Sequence, residues 1–305
     1  MILRVISIGD AVPRADFDAT VHSVFREAAN LRLVPDGSLV TVVAATEADL
    51  PQGIRVDTPI GFSFETLQVG LSVACREDSL QLGSLRIALR GARRWKCDLP
   101  ALQADLASPT VSAAWILVWQ ALGRRQEESN ADIIATGLLQ SEQVPRSGVA
   151  ERAGQAMGEL IDATRQEDLP RAVTSARALI GLGHGLTPSG DDLLVGFLAG
   201  LWCGIGNDHE VQEFVTSLGQ AIVASSTETN EISRAYLAHA ALGQVSSRLA
   251  DLAEAICKGI DSSGLLERAT VAMQVGHTSG MDAVTGLLLG LAAWDRRSLK
   301  GLELG

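Results

Sequence analysis

Cysteine is sparse and scattered: Cys75, Cys97, Cys203 and Cys257 stand apart in a chain of 305 residues, with no CxxC spacing. This argues against both a zinc knuckle and a disulfide framework, and reduced thiols point to a cytoplasmic setting. Basic residues are outnumbered, 25 against 36 acidic ones, giving a formal charge of −11. Such a balance repels nucleic-acid phosphates, and without a polybasic stretch it offers no grip on an anionic membrane. Long apolar runs are missing too. The most apolar stretch, Leu193 to Ile205, falls short of the roughly 20 residues a spanning helix needs, so it reads as a buried helix. The opening MILRVISIGD has neither a basic region before a long apolar run nor a small-residue cleavage site, and reads as a first strand. No low-complexity tract is present, and 47% hydrophobic residues against 20% charged ones suffice for a substantial core. The partner is then a small molecule or another protein.

Up to about Pro100 the chain shows short β-like runs, ILRVISI, LRLV, SLVTVVAA and LRIAL, separated by turn signals of which Pro35-Asp36-Gly37 is the clearest. Beyond Ala101 the period turns helical. The predicted helices cover Val111 to Leu122, Ala150 to Thr164, Arg171 to Ile180, Val211 to Val223, Glu231 to Leu242, Val245 to Ile256 and Leu265 to Val275. Residues 123–130, GRRQEESN, read as a solvated connector. The expected fold is α+β: a β-rich N-terminal domain (1–100) and a mostly α-helical domain (101–305).

An internal repeat organises the second domain. SGDDLLVGFLAGL, from Ser189 to Leu201, aligns without gaps on SGMDAVTGLLLGL, from Ser279 to Leu291, at an offset of 90 positions. Seven of the thirteen columns are identical, which defines the pattern SGxDxxxGxLxGL and two equivalent helix starts. A serine three residues before an acid is a capping-box arrangement, so Ser189 and Ser279 are expected as N-caps. Ser189, Asp192, Gly196 and Gly200 share one helix face, as do Ser279, Asp282, Gly286 and Gly290. Glycine within a helix costs roughly 1 kcal/mol relative to alanine, so a matched pair in each copy implies close backbone approach. The two glycine faces are therefore expected to pack together as a pseudo-repeat and to bring both helix starts and both aspartates to one place.

Paired helix N-termini suit a small phosphate or carboxylate ligand. The first start carries the loop GLGHGLTPSGDD, Gly181 to Asp192. Its GxxxxG spacing is that of a P-loop, but Asp191 occupies the place of the phosphate-binding lysine and no strand precedes it. Neither the GxSxG nucleophile elbow nor GxGxxG is matched. Asp191 and Asp192 are the candidate ligands if magnesium takes part. His184 and His277 flank the repeated motif as candidates for proton transfer. A third polar cluster, from Ser225 to Ala240, contains Thr229, Asn230 and Ser233, with Thr229 or Asn230 as the expected cap of the following helix.

With GLGHGLTPSGDD, TNEISRAYLAHAALG and GHTSGMDAVTGLLLG in order, the chain resembles a family of bacterial proteins that includes the AllH subunit of the oxamate carbamoyltransferase of anaerobic allantoin degradation. The resemblance is densest over residues 179–291. The N-terminal half matches in its β-rich character, the VHSVF segment and Trp95, and His184 stands where the family loop carries proline. What the resemblance implies is a cytoplasmic subunit of a carbamoyltransferase, part of a hetero-complex with two other subunits. That enzyme converts oxalurate and phosphate to oxamate and carbamoyl phosphate. The ligand is then carbamoyl phosphate, oxamate or another ureido acid. Under this reading Gly183, Gly185, Thr187, Ser189, Gly190, Asp191, Thr229, Ser233, Thr278, Ser279 and Gly280 bind the substrate. His277 and His184 move a proton, while Asp192 and Asp282 orient the reacting amide or the loops. Two alternatives from other classes remain: a structural or regulatory partner of a catalytic subunit, and a magnesium-dependent phosphotransfer or carboxylase-like enzyme.

Overall fold

The computed structural model describes residues 1–129, 131, 133–135 and 148–294. It divides into two compact units, Met1–Cys97 and Asp98–Gly305.

The first unit is a β-barrel. Its strands are β1 (Ile2–Gly9), β2 (Phe17–Val24), β3 (Ala28–Val34), β4 (Leu39–Ala44), β5 (Gly53–Asp57), β6 (Ser72–Arg76), β7 (Ser79–Leu82), β8 (Leu85–Ala88) and β9 (Arg93–Trp95). In sheet order they run β5-β4-β3-β2-β6-β7-β8-β1-β9, and β1 also pairs with β5, so eight strands close and leave no open edge between them. β1 manages this by changing neighbours along its length. Ile2–Arg4 lie parallel to Arg86–Ala88, Ser7–Gly9 lie parallel to Arg93–Trp95, and the opposite edge runs antiparallel to β5. Leu31, Val42, Ile54, Leu80, Leu82 and Ile87, none of them solvent-exposed, fill the interior. The Pro35-Asp36-Gly37 turn joins β3 to β4 as expected, with Gly37 N–H donating to Leu33 O at 3.0 Å and Gly37 at φ +76°. Strands β2, β5, β6, β7 and β9 were absent from the predicted set. Four of them have five residues or fewer, too short to show a period. β2 does alternate, with Phe17, Ala19 and Val21 inward.

The described residues of the second unit form nine helices: α1 (Pro109–Glu128), α2 (Gly148–Arg165), α3 (Leu169–Arg177), α4 (Ser189–Gly204), α5 (His209–Ser225), α6 (Glu231–Ala240), α7 (Ser247–Lys258), α8 (Ser262–Met273) and α9 (Ser279–Ala293). One expectation fails here. Most of the GRRQEESN segment is helix: α1 continues to Glu128, with Gly123 and Gln126 buried. Gln126 explains why. Its Nε2 donates to Thr285 Oγ1 at 3.1 Å and its Oε1 accepts from Ala135 N–H at 2.8 Å, so a residue that looked solvated is a satisfied core amide. Asn130, the last residue of that segment, lies outside the described residues.

α4 and α9 are the two helices of the repeat, and they form the most extensive helix pair of the unit. Their glycine faces meet as expected. A Cβ on Gly196 would lie 1.9 Å from Ala283 O, and one on Gly286 would lie 2.1 Å from Leu193 O. One turn further along, Gly200 faces Leu287 O at 2.4 Å and Gly290 faces Phe197 O at 2.2 Å by the same construction. Each contact is repeated after a shift of 90 positions, so the pair has a local pseudo-twofold. Both helices advance in the same direction, and their N-termini lie at the same end. Tryptophans fasten the flanks: Trp115 Nε1 donates to Leu288 O at 2.8 Å and Trp294 Nε1 to Leu201 O at 3.0 Å.

Replacing a helical glycine by alanine ordinarily gains up to about 1 kcal/mol. At Gly158 of α2, where nothing lies within 4 Å of an added Cβ, that gain is expected in urea unfolding. Gly196→Ala is expected to shift the same transition the other way by about 2 kcal/mol or more, through overpacking against backbone that cannot yield. Equal responses at the two sites would contradict the close approach.

Candidate functional site

The helix starts differ from a capping box by one residue. Pro188 and Thr278 hold the N-cap positions, and Ser189 and Ser279 are the first helical residues, with no side-chain cap bond at either end. Pro188, at φ −54° and ψ 141°, already supplies the extended conformation that the cap requires, so the helix begins one residue earlier than the Ser-x-x-Asp spacing suggests. The serine hydroxyls are thereby free for other work. Ser279 Oγ and Thr187 Oγ1 are hydrogen-bonded at 2.7 Å, across 92 positions of sequence. This bond joins the loop of the first copy to the helix of the second.

Gly190 and Gly280, the second helical residues, are packing devices. A Cβ on Gly190 would lie 2.0 Å from Leu179 O, and one on Gly280 would lie 2.4 Å from Ala272 O. Their N–H groups are also spent within the protein, on Leu182 O at 2.8 Å and Val275 O at 2.9 Å, so neither amide donates to a ligand as expected from sequence. The amides of Gly183, His184, Gly185, Leu186 and Thr187 have no acceptor among the described residues. Gly183 at φ +115° and Gly185 at φ +106° take a backbone path that other residues rarely adopt. A Cβ on Gly183 would also lie 2.9 Å from Ser189 N, so the loop runs directly over the start of α4.

The two adjacent aspartates part company. Asp191, 1% exposed, turns back into the protein: its Oδ1 accepts Gly181 N–H at 2.9 Å and its Oδ2 accepts the Thr229 hydroxyl at 2.5 Å. Asp192 turns toward the repeat partner, where Ser279, Thr187 and Asp282 surround it. The residue as a whole is half-buried, yet its Oδ2 is buried and has no hydrogen-bond partner among the described residues. Burial pushes the Asp192 carboxyl well above the ordinary range. The Ser279 and Thr187 hydroxyls pull against that shift, and the charges of Asp282 and Asp191 add to it. Asp282 is itself 1% exposed. The expected convergence of both aspartates at the shared helix start is present.

The remaining candidates lie around this point. His184 and His277 are exposed on their loops, and neither side chain has a hydrogen-bond partner among the described residues. Thr278 and Ser189 are half-buried at the two helix starts. Asn230 caps α6, accepting Ile232 and Ser233 N–H at 3.0 and 3.1 Å. Ser233, 1% exposed, faces that cap, its Oγ lying 3.5 Å from Asn230 Nδ2. A link absent from the sequence reading is Asn230 Nδ2 donating to Leu186 O at 2.9 Å. Only the polar character of TETN hinted at it. Among the described residues no group of three or more His, Cys, Asp or Glu side chains is placed to hold a metal ion, and no helix is long and apolar enough to cross a membrane.

A barrel unit followed by a helical unit with two converging glycine-rich helix starts defines the class: a two-unit protein with a paired loop–helix site. The family follows from comparison with known proteins. Residues 179–291 match the model of the oxamate carbamoyltransferase subunit AllH, and residues 4–94 match that of the AllH family N-terminal domain. The chain belongs to the AllH family, and so to the subunits of a carbamoyltransferase-type, multi-subunit enzyme. No curated protein and no solved structure gives a significant match.

The Asp192 environment generates a pH test. A carboxyl whose folded pKa is raised binds its proton more tightly in the native state. It therefore favours folding below the unfolded value of about 3.9, and that contribution is lost as pH rises toward the folded value. Asp192→Asn removes the group, so its stability relative to the unmodified protein is expected to improve as pH rises from about 4 to neutrality. Urea unfolding at several pH values measures this, and a difference that stays constant with pH would show that folding does not raise the Asp192 carboxyl.

Proposed function

We propose that the helical unit binds the carbamoyl-bearing substrate of an oxamate carbamoyltransferase-type enzyme, with its phosphate or carboxylate end at the paired helix starts. In that reaction a phosphate oxygen attacks the carbamoyl carbon of oxalurate. The C–N bond to the oxamate nitrogen breaks, and a proton is delivered to that nitrogen, giving carbamoyl phosphate and oxamate. The observation that carries the reading is the Thr187–Ser279 hydrogen bond, which joins the two motifs into one site. Around it stand the uncommitted amides of residues 183–187, the N-terminal ends of two helices of 16 and 15 residues, and the hydroxyls of Ser189 and Thr278. These groups favour negative charge on a ligand and on the developing carbamoyl oxyanion.

Two aspartates at the same point would oppose an anion if both were ionised. Burial pushes Asp192 toward its uncharged form, which lessens that opposition and offers an O–H to an acceptor. On this reading Asp192 and Asp282 orient the carbamoyl group, and His277 or His184, both exposed on the rim, supplies the proton to the leaving nitrogen. Asp191 is already committed to Gly181 and Thr229, which argues against a magnesium ion shared by the adjacent acids. A substrate made from another ureido acid would use the same groups.

The test is phosphate-dependent carbamoyl transfer by the complex reconstituted with its native partner subunits. His277→Ala or His184→Ala is expected to lower kcat by about 10²-fold, the lower end of what a general acid contributes. Asp192→Asn is expected to lower kcat/KM, and EDTA is expected to leave the rate unchanged. Unchanged rates in both histidine variants and in Asp192→Asn would remove the site assignment.

A further inference from the structure

The pseudo-twofold is broken at one informative position. Asp191 of the first copy corresponds to Met281 of the second, although the flanking Ser-Gly and the following Asp are common to both. A buried methionine at this place costs nothing in desolvation, whereas a buried carboxyl group needs partners. Asp191 finds its partners outside its own helix. One is Gly181 N–H, where the glycine-rich loop begins, and the other is the Thr229 hydroxyl, 38 positions further along. The next residue, Asn230, donates to Leu186 O, near the end of the same loop. Gly181 also lies against this segment, since a Cβ there would be 3.2 Å from Glu228 O.

The loop is thus tied near both ends to one short segment, while its middle, Gly183 to Gly185, makes no hydrogen bond within the described residues. We propose that Asp191, Thr229 and Asn230 form a latch that sets the path of the loop 181–187 and act on the ligand only through it. They are positioning residues, and the substrate-contacting role expected for Asp191 and Thr229 passes to the loop amides they hold. This rests on the ligand-binding reading above. It also accounts for the asymmetry of the repeat, because the second copy has a shorter loop, Gly276 to Thr278, between Val275 and α9.

Thr229→Val in the full-length chain removes the hydroxyl and keeps the shape, and Thr229→Ser restores the hydroxyl. Asn230→Ser retains a good helix cap with a side chain too short to reach Leu186 O. Backbone NMR order parameters of residues 181–187 report the loop without any ligand, and calorimetry with oxamate and with carbamoyl phosphate reports affinity. Thr229→Val and Asn230→Ser are each expected to lower the order parameters and to weaken binding about tenfold, the scale of one neutral hydrogen bond. Thr229→Ser is expected to recover both. Weakened binding with unchanged order parameters would overturn the latch and make Thr229 a ligand contact, and unchanged order parameters with unchanged binding would overturn it as well. Failure of the unsubstituted chain to bind either probe would count against the functional reading, while the order parameters would still decide the latch.

Discussion

Backbone-to-backbone contact between α4 and α9 is the constraint on which the helical unit rests. Four glycines let the two helices approach until a single added methyl group would overlap a carbonyl oxygen. Each glycine sacrifices roughly 1 kcal/mol of helix propensity. The return is dense packing along two largely buried helices and, more consequentially, a fixed relation between their first turns. Because the helices run in parallel about a pseudo-twofold, the Ser-Gly-x-Asp segments arrive at the same end. Thr187 can then reach Ser279, and Asp192 comes under the influence of Asp282.

What a duplicated scaffold makes equivalent, the loops then make different. The shared positions do structural work in both copies: Gly190 and Gly280 sit under the preceding turn, and the four helix glycines form the seam. The unshared ones carry the asymmetry. His184 and Gly185 lie in a long loop tied down through Asp191, while His277 lies in a short one. On the proposed reading, positive helix ends receive an anion beside a carboxyl that burial pushes toward its protonated, hydrogen-bond-donating form. That combination is what a ureido acid or carbamoyl phosphate presents, an anionic end beside a carbonyl.

Much of this was legible in the sequence because its signals were periodic. The helix seam could be read from glycines four residues apart in two aligned segments, and the barrel strands β1, β3, β4 and β8 from apolar runs between turn residues. The misses have physical causes. The segment GRRQEESN is polar, yet it ends a helix whose Gln126 is buried by tertiary hydrogen bonds that no local pattern records. The Ser-x-x-Asp spacing suggested a capping box, but Pro188 and Thr278 hold the caps and each serine lies one position inside its helix. Asp191 was expected at the ligand, but the roughly 100° turn between adjacent helical residues sends it inward to Thr229 while Asp192 faces Ser279, as its spacing implied. The Asn230–Leu186 link joins residues 44 apart, and no spacing announces such a contact.

The account stands on the two motifs forming one ligand site, and amide chemical-shift mapping of the full chain during titration with carbamoyl phosphate tests this most directly. The predicted result is a set of saturable shifts on both loops together, residues 183–189 and 276–279, with one common dissociation constant. Shifts confined to one loop, or located in the barrel unit, would contradict it.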